Sequence, residues 1–359
     1  MNGKKGFSID WALLTGLLAL SVTSLFVVYS AGDQNPDLLM RQSIRIVLAF
    51  TVMFLVARIT PDQFLRWTPY LYGIGLIMLL VVLGAGVIGK GAQRWIDLGF
   101  MRFQPAEMMK LAVPMMVAWV MVRKPLPASL PTVILGFVVL VIPVILVIKQ
   151  PDLGTAILIA ASGLVVIFFA GMSWWIIAVL AALVAAAAPL GWFLIHDYQR
   201  QRILTLFDPW SDPLGAGYHT IQSAIAVGSG GLYGKGWLNG SQSQLDFIPE
   251  RSTDFIFAVF SEEFGFMGSM ILLLVYLFVV SRSLYIAIEA KDSYTRLLCG
   301  SLAVTFAIYV FVNIGMVTGI LPIVGVPLPL ISYGGTSMVS LLAGFGILMS
   351  AYSNRWFIR

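Results

Sequence analysis

The sequence predicts an all-α integral membrane protein, a single polytopic domain over 1–359 with about ten spans and both chain ends on one side. Three observations carry that class. Hydrophobic residues make up 59% of the 359 and charged residues only 11%, against about 25% charged in a soluble domain. Apolar stretches of roughly 18 to 25 residues, each long enough to cross a hydrocarbon core, recur over the whole length. They do not alternate in polarity, and barrel strands would be about half as long.

The first stretch, about 9–29, follows Lys4 and Lys5. Its apolar part exceeds the roughly 7 to 15 residues of a signal-peptide core, so it reads as an uncleaved span. The second and third cover about 41–58 and 69–89. GAGVIG closes the third, and Gly84, Gly86 and Gly89 match the dinucleotide pattern in letters only, since no βαβ unit surrounds them. The fourth, about 104–122, opens at Gln104-Pro105, where proline suits a first helical turn because its missing N–H has no intrahelical use. Glu107 and Lys110 stand three apart on it and project from one face. That geometry serves either an intrahelical ion pair that makes insertion tolerable, or a polar cavity wall with Lys110 open to an anion.

The fifth span, about 130–148, leads through KQPDLGTA to the sixth, about 154–171, with Asp152 favourably placed at its N-terminus. The seventh, about 174–195, contains AALVAAAAP, small residues that allow close helix packing. A long loop, about 196–253, precedes the eighth span, about 255–281, entered through PERSTDFIFAVF. Positions 254, 258 and 262 stack on one helical face, so Asp254 and Glu262 are expected to share it. Capping accounts for Asp254 alone; Glu262 and Glu263, two turns deeper, call for a polar cavity. The ninth and tenth spans, about 297–320 and 334–352, flank NIGMVTGILPIVGVPLPLISYGGTS at 313–337. Pro322, Pro327 and Pro329, with Gly319 and Gly325, prevent one helix from crossing this stretch. Non-helical backbone at membrane depth is tolerated only where protein buries it or water reaches it. The segment, which contains Ser332 and Thr336, is therefore expected to line a cavity.

Lys and Arg count sets orientation over short loops. The terminal side holds Lys4, Lys5, Arg58, Arg66, Arg123, Lys124, Arg282, Lys291, Arg296, Arg355 and Arg359, against Arg41, Lys90, Arg94, Arg102 and Lys149 opposite, with Arg45 and Lys110 inside helices. The termini are thus expected in the cytoplasm, and Asp254 at the outer edge. A net charge of +5 reflects these loops and shows no clustered stripe for nucleic acid. The lone Cys299 excludes an intramolecular disulfide, and with His196 and His219 far apart it offers no zinc set. No G-x-S-x-G elbow occurs. GSGGLYGKG at 228–236 lacks the Ser or Thr of a phosphate loop. Its glycines fit a tight re-entrant turn better than a diphosphate cradle.

The run NIGMVTGILPIVGVPLPLISYGGTS closely resembles the signature of the SEDS family, the shape, elongation, division and sporulation proteins of bacteria. RWIDLG with QPAEMMKL, then QPDLGTA, GSGGLYGKGW and PERSTDFIFAVFSEEFG resemble the family's other blocks in the same order, so the match spans nearly the whole chain and is closer to the elongation branch than to the division branch. The resemblance implies a peptidoglycan glycosyltransferase that polymerises lipid II at the outer face of the bacterial cytoplasmic membrane, partnered by a class B penicillin-binding protein. It places the family's essential aspartate on Asp254 and its paired Glu and Lys on Glu107 and Lys110. Where many members have His-Thr-Asp this chain has Ser252-Thr253-Asp254, which leaves any acid-base role for that histidine unsupported.

Sugar transfer from a diphosphate carrier needs a base for the acceptor hydroxyl, stabilisation of an oxocarbenium-like transition state, and positive charge against the departing diphosphate. Asp254 is the expected base. Lys110, with Arg94 and Arg102, is expected to counter the diphosphate, Glu107 to orient Lys110, and Trp95 and Gln104 to shape the site; Asp152, Glu262, Glu263, Ser332 and Thr336 support it. A divalent cation, Mg or Mn, has a place between diphosphate and carboxylate because such ions favour oxygen ligands, though the sequence does not require one. Two rival readings use the same chain: a flippase for the lipid-linked precursor, marked by polar residues running to both faces, and a noncatalytic scaffold, which has no need of Asp254, Glu107 and Lys110 at the outer ends of spans.

Overall fold

Short polar residues start several of the helices, most of them within a few residues of where the sequence places the span and the third about eight residues earlier. In the computed structural model, which describes residues 8–89, 92–97, 102–172, 197–213, 215, 217–244 and 250–355 with scattered positions between 174 and 186, α1 (Trp11–Ala31) is capped by Asp10, whose Oδ1 accepts from Leu13 N at 2.7 Å. Asn35 caps α2 (Pro36–Ala57) in the same way through Asp37 N, and α3 spans Pro61–Ala85. Pro105 opens α4 (Pro105–Met121), α5 covers Leu130–Lys149, and Asp152 caps α6 (Leu153–Phe169) through Thr155 N at 3.2 Å. The long loop carries α7 (Asp197–Phe207), α8 (Tyr218–Ser229) and α9 (Ser241–Gln244). Then follow α10 (Ile256–Ile288), α11 (Ser293–Val317), capped by Asp292, and α12 (Thr336–Asn354).

Among the described residues seven helices, α1, α2, α3, α5, α10, α11 and α12, are long and apolar enough to cross a membrane; α6 is apolar but shorter. α4 has 17 residues and carries Glu107 and Lys110, so length and charge keep it out of that set. Most of the predicted seventh span lies outside the described residues, as do Lys4, Lys5, Lys90, His196, Arg359 and the side chain of Arg102. Apolar side chains such as Val47, Leu55, Ile134 and Leu274 point outward from the bundle, as a lipid solvent allows. The interior is centred on α4, where Met109, Val113, Val117 and Met121 are fully buried. Asp10 pairs with Arg282 at 2.6 Å, and Glu289 pairs with Arg355. Those two pairs tie the start of α1 and the end of α12 to the end of α10, so both described chain ends share one face, and Asp254 lies at the other end of α10.

Two features depart from the expected spans. Between α3 and α4 lies a small antiparallel sheet, β1 (Val87–Gly89), β2 (Ala92–Asp97) and β3 (Arg102–Phe103), which the span pattern did not mark, in register Val87 to Trp95 and Asp97 to Arg102. And α10 is broken at Gly265, whose φ of 66° and ψ of −165° interrupt the helical ladder. The freed groups are satisfied by the glycine-rich loop: Lys235 N and Gly236 N donate to the carbonyls of Glu262 and Glu263, while Phe266 N and Met267 N donate to those of Gly231 and Leu232. The glycines of GSGGLYGKG therefore form a tight turn against α10. Two of its N–H groups, at 235 and 236, are bonded to protein carbonyls.

Candidate functional site

Asp254 stands in a turn one residue before the N-cap of α10, half-buried, and the turn is fastened by three successive carbonyls. Ser252 O accepts from Tyr333 N at 2.8 Å, Thr253 O from Ser332 Oγ at 2.6 Å, and Asp254 O from Asn313 Nδ2 at 2.8 Å. The same Asn313 amide donates to Val326 O at 2.7 Å, and Leu328 N donates to Ser332 Oγ at 2.7 Å. The proline-rich run is thus irregular backbone whose polar groups are met by protein, the condition for such backbone at membrane depth. Gly325, at φ +71°, lies close enough to the carboxylate that a Cβ there would stand 3.5 Å from Asp254 Oδ2. His219 of α8 stacks on Phe255 with ring centroids 5.7 Å apart, and burial lowers its imidazole pKa, with Glu250 opposing and Arg202 reinforcing the shift.

A second polar group reaches the same run. Gln104 Nε2 donates to Asp152 Oδ2 at 2.8 Å, and Arg94 lies 3.9 Å from Asp152 Oδ1 while donating to the carbonyls of Gln150 and Pro151. This ties β2, the start of α4 and the start of α6 together. Gly154 in the first turn of α6 packs so closely on the run that a Cβ would sit 2.6 Å from Val324 O. The first turn of α6, which Asp152 caps, and the Asp254 carboxylate thereby meet adjacent residues, Val324 and Gly325, of one segment.

Deeper in the bundle Lys110 Nζ donates to Glu107 Oε1 at 2.7 Å, and Glu107 Oε2 accepts from Ser340 Oγ at 2.7 Å. Lys110 also lies 5.1 Å from the Tyr309 ring centroid, and both members of the pair are less than a tenth exposed. Such a pair is tolerable in a low-dielectric interior because each charge has its partner and further donors or rings around it. Trp95 is half-buried on β2 opposite Val87, and Thr336 begins α12.

The expected sharing of one face by Asp254 and Glu262 is corrected. Asp254 precedes the helix, and Glu262 is wholly buried against the glycine-rich loop, accepting from Lys235 Nζ at 2.7 Å, Gln242 N at 2.9 Å and Ser241 Oγ at 3.2 Å. Glu263 accepts from Ser30 Oγ and Leu238 N. The two glutamates are accommodated by pinning that loop to α10, so their presence needs no cavity shared with Asp254. The structure adds residues that spacing did not single out: Asn313, Tyr309 and Ser340, and Arg45 of α2, whose guanidinium lies 4.2 Å from the Tyr333 ring centroid. An arginine inside an apolar run was the available signal for Arg45.

Comparison with known proteins accords with this arrangement. A family model for FtsW, RodA and SpoVE, described as cell cycle protein, matches residues 6–355. The peptidoglycan glycosyltransferase MrdB of Escherichia coli K12 is 53% identical over 97% of this chain and 94% of its own. A solved structure described as structural coordination of polymerization and crosslinking by a peptidoglycan synthase complex matches with a TM-score of 0.86 and 32% identity, covering 98% of this chain and all of that one. The rod shape determining protein RodA of Thermus thermophilus matches with a TM-score of 0.75 and 28% identity over 98% of this chain and 99% of its own.

Proposed function

The chain belongs to the FtsW, RodA and SpoVE family of cell cycle proteins, and from that membership we infer that it is a peptidoglycan glycosyltransferase of the elongation branch, polymerising lipid II into glycan strands. It is an integral membrane protein and works with a class B penicillin-binding protein that crosslinks the strands, as polymerisation and crosslinking are coordinated in the related complex. Its membrane is the bacterial cytoplasmic membrane, with the termini inside and Asp254 facing out; the Lys and Arg distribution over short loops supports that orientation.

Asp254 is the general base in this proposal. It takes the proton of the acceptor GlcNAc 4-hydroxyl as that oxygen bonds to the anomeric carbon of the donor sugar. The bond from that carbon to the diphosphate breaks, and undecaprenyl diphosphate leaves with the electron pair. The observation that carries the role is the fastening of the Asp254 turn by its three consecutive carbonyls, which holds a half-buried carboxylate in one place beside Gly325. A base must be positioned before it can be effective. Lys110, oriented by Glu107, and Arg94 with Arg102 counter charge on the diphosphate; Trp95 and Gln104 shape the site, and Asp152, Ser332 and Thr336 support its backbone.

No three His, Cys, Asp or Glu side chains cluster for a metal among the described residues. A Mg or Mn ion would therefore be held mainly by the diphosphate oxygens, with Asp254 or Asp152 as the protein carboxylate. Such an ion would neutralise charge on the leaving group.

Polymerisation of lipid II by the purified chain, alone and with its transpeptidase, tests the assignment. Asp254→Asn should lower the rate about 10²- to 10⁴-fold, the usual weight of a positioned base. Undiminished strands from that variant would remove Asp254 from the chemistry, and no strands from the native chain under any condition would return the flippase and scaffold readings.

A further inference from the structure

Among the described residues Arg45 presents a charge without a counter-charge. It lies nine residues into α2 from Pro36, roughly 14 Å along the axis at 1.5 Å per residue, at the same end of the bundle as the Asp254 turn. Its neighbours Ile44, Val47 and Leu48 are exposed to the lipid side. The next face of the helix turns inward, where Gln42, fully buried, donates to Ser24 Oγ at 2.9 Å and toward Ser332 O at 3.4 Å. Arg45 follows one turn later, half-buried. Its guanidinium lies over the Tyr333 ring, and its Nε is 3.5 Å from where a Cβ on Gly335 would stand. No carboxylate among the described residues pairs with it.

An arginine on a membrane-spanning helix carries an insertion cost that is relieved where it meets water or an anion. The ring of Tyr333 offsets part of that through cation–π attraction but supplies no hydrogen-bond acceptor for five N–H donors. Two cations assigned to the diphosphate above each have a protein partner as well: Lys110 has Glu107, and Arg94 has Asp152 and two carbonyls. Arg45 differs from them, and it sits on the segment that fastens Asp254, since Tyr333 N bonds Ser252 O. It also borders the lipid-exposed side of α2, the direction from which a membrane-borne substrate would arrive.

We propose that Arg45 binds a lipid-borne phosphate, that of the diphosphate on the donor or on the released carrier, and so helps seat the lipid-linked substrate where α2 meets the Tyr333–Gly335 turn. A guanidinium suits this ligand because its planar fork engages phosphate oxygens in pairs. The assignment rests on the glycosyltransferase reading and extends it to a residue outside the blocks that carry the family resemblance.

The test uses the full chain reconstituted in phosphatidylcholine vesicles, with and without added phosphatidylglycerol, and compares native protein, Arg45→Gln and Arg45→Lys. Arg45→Gln should raise KM for lipid II about tenfold or more while kcat changes little, and Arg45→Lys should recover part of the loss. Unfolding temperatures are measured for all three, and Arg45→Lys keeps the test open should Arg45→Gln fold poorly. Binding of undecaprenyl diphosphate is measured alongside, without turnover. Tenfold weaker binding by Arg45→Gln supports the contact even in a preparation that makes no strands, which would count against the glycosyltransferase reading alone. Equal binding with unchanged KM overturns the proposal. An effect confined to vesicles with phosphatidylglycerol also overturns it, and gives Arg45 to a bulk lipid headgroup.

Discussion

Asp152 shows how one side chain can hold three elements. Its Oδ1 caps α6 through Thr155 N, its Oδ2 accepts from Gln104 at the start of α4, and Arg94 of β2 stands beside it. A lost cap costs about 1 kcal/mol, and leaving the buried Gln104 amide without its acceptor adds a similar amount. Asp152→Ala is expected to destabilise the protein by about 2 kcal/mol, read from thermal unfolding in detergent. If the contact is what matters, Asp152→Ala combined with Gln104→Ala will lose less than the two single losses added together. Strict additivity would show that the 2.8 Å contact carries no energy of its own. The sequence pointed to both residues but treated them separately, as a cap and as a site-shaping amide. Their meeting is a contact between residues 48 positions apart.

The break in α10 separates its Asp254 end from the rest of the helix. At 33 residues α10 is roughly 50 Å long by the helical rise, more than a membrane's hydrocarbon thickness. Gly265 lets its first turns depart from the axis of the rest, and the loop at 231–236 pairs with the groups this frees. A Cβ at Gly265 would run into Gly234 N and Tyr233 C, and its φ of 66° is costly for a residue with a side chain. Gly265→Ala is expected to cost about 2 kcal/mol or more and to loosen the 231–242 loop, detected as faster proteolysis there. Intact resistance to protease together with native unfolding temperature would show that the break is incidental. The pair of buried Glu262 with half-exposed Lys235 belongs to this same device, since it anchors the far side of the loop at 2.7 Å. Helical periodicity alone assigned Glu262 to the face of Asp254, because it takes the helix to begin at residue 254 and says nothing of a loop folding back onto it.

For the molecule as a whole, orientation is open to a direct test because Cys299 is fully buried and contributes no background to thiol labelling. A membrane-impermeant maleimide applied to spheroplasts should label Tyr233→Cys, on the Asp254 side, and leave Ser293→Cys, at the start of α11, unlabelled until the membrane is opened. The reverse pattern would invert the topology and place Asp254 in the cytoplasm. Composition and the length of apolar runs determined the membrane class and the place and order of most spans, and prolines and glycines the broken segment at 313–337, because the hydrocarbon solvent acts on each stretch of chain independently. The motif blocks marked Asp254, Glu107 and Lys110 as candidates for the same local reason: a charge beside an apolar run needs a cause wherever the run ends up. Only tertiary structure decided which of these groups meet. It fastened Thr253 to Ser332 across 79 positions, tied Ser24 to Ile331 across 307, drew Glu262 and Glu263 to the glycine-rich loop, and set Arg45 against Tyr333. Periodicity specifies which residues share a face of one helix; which helix that face then meets depends on packing among all of them, and no window of sequence contains it.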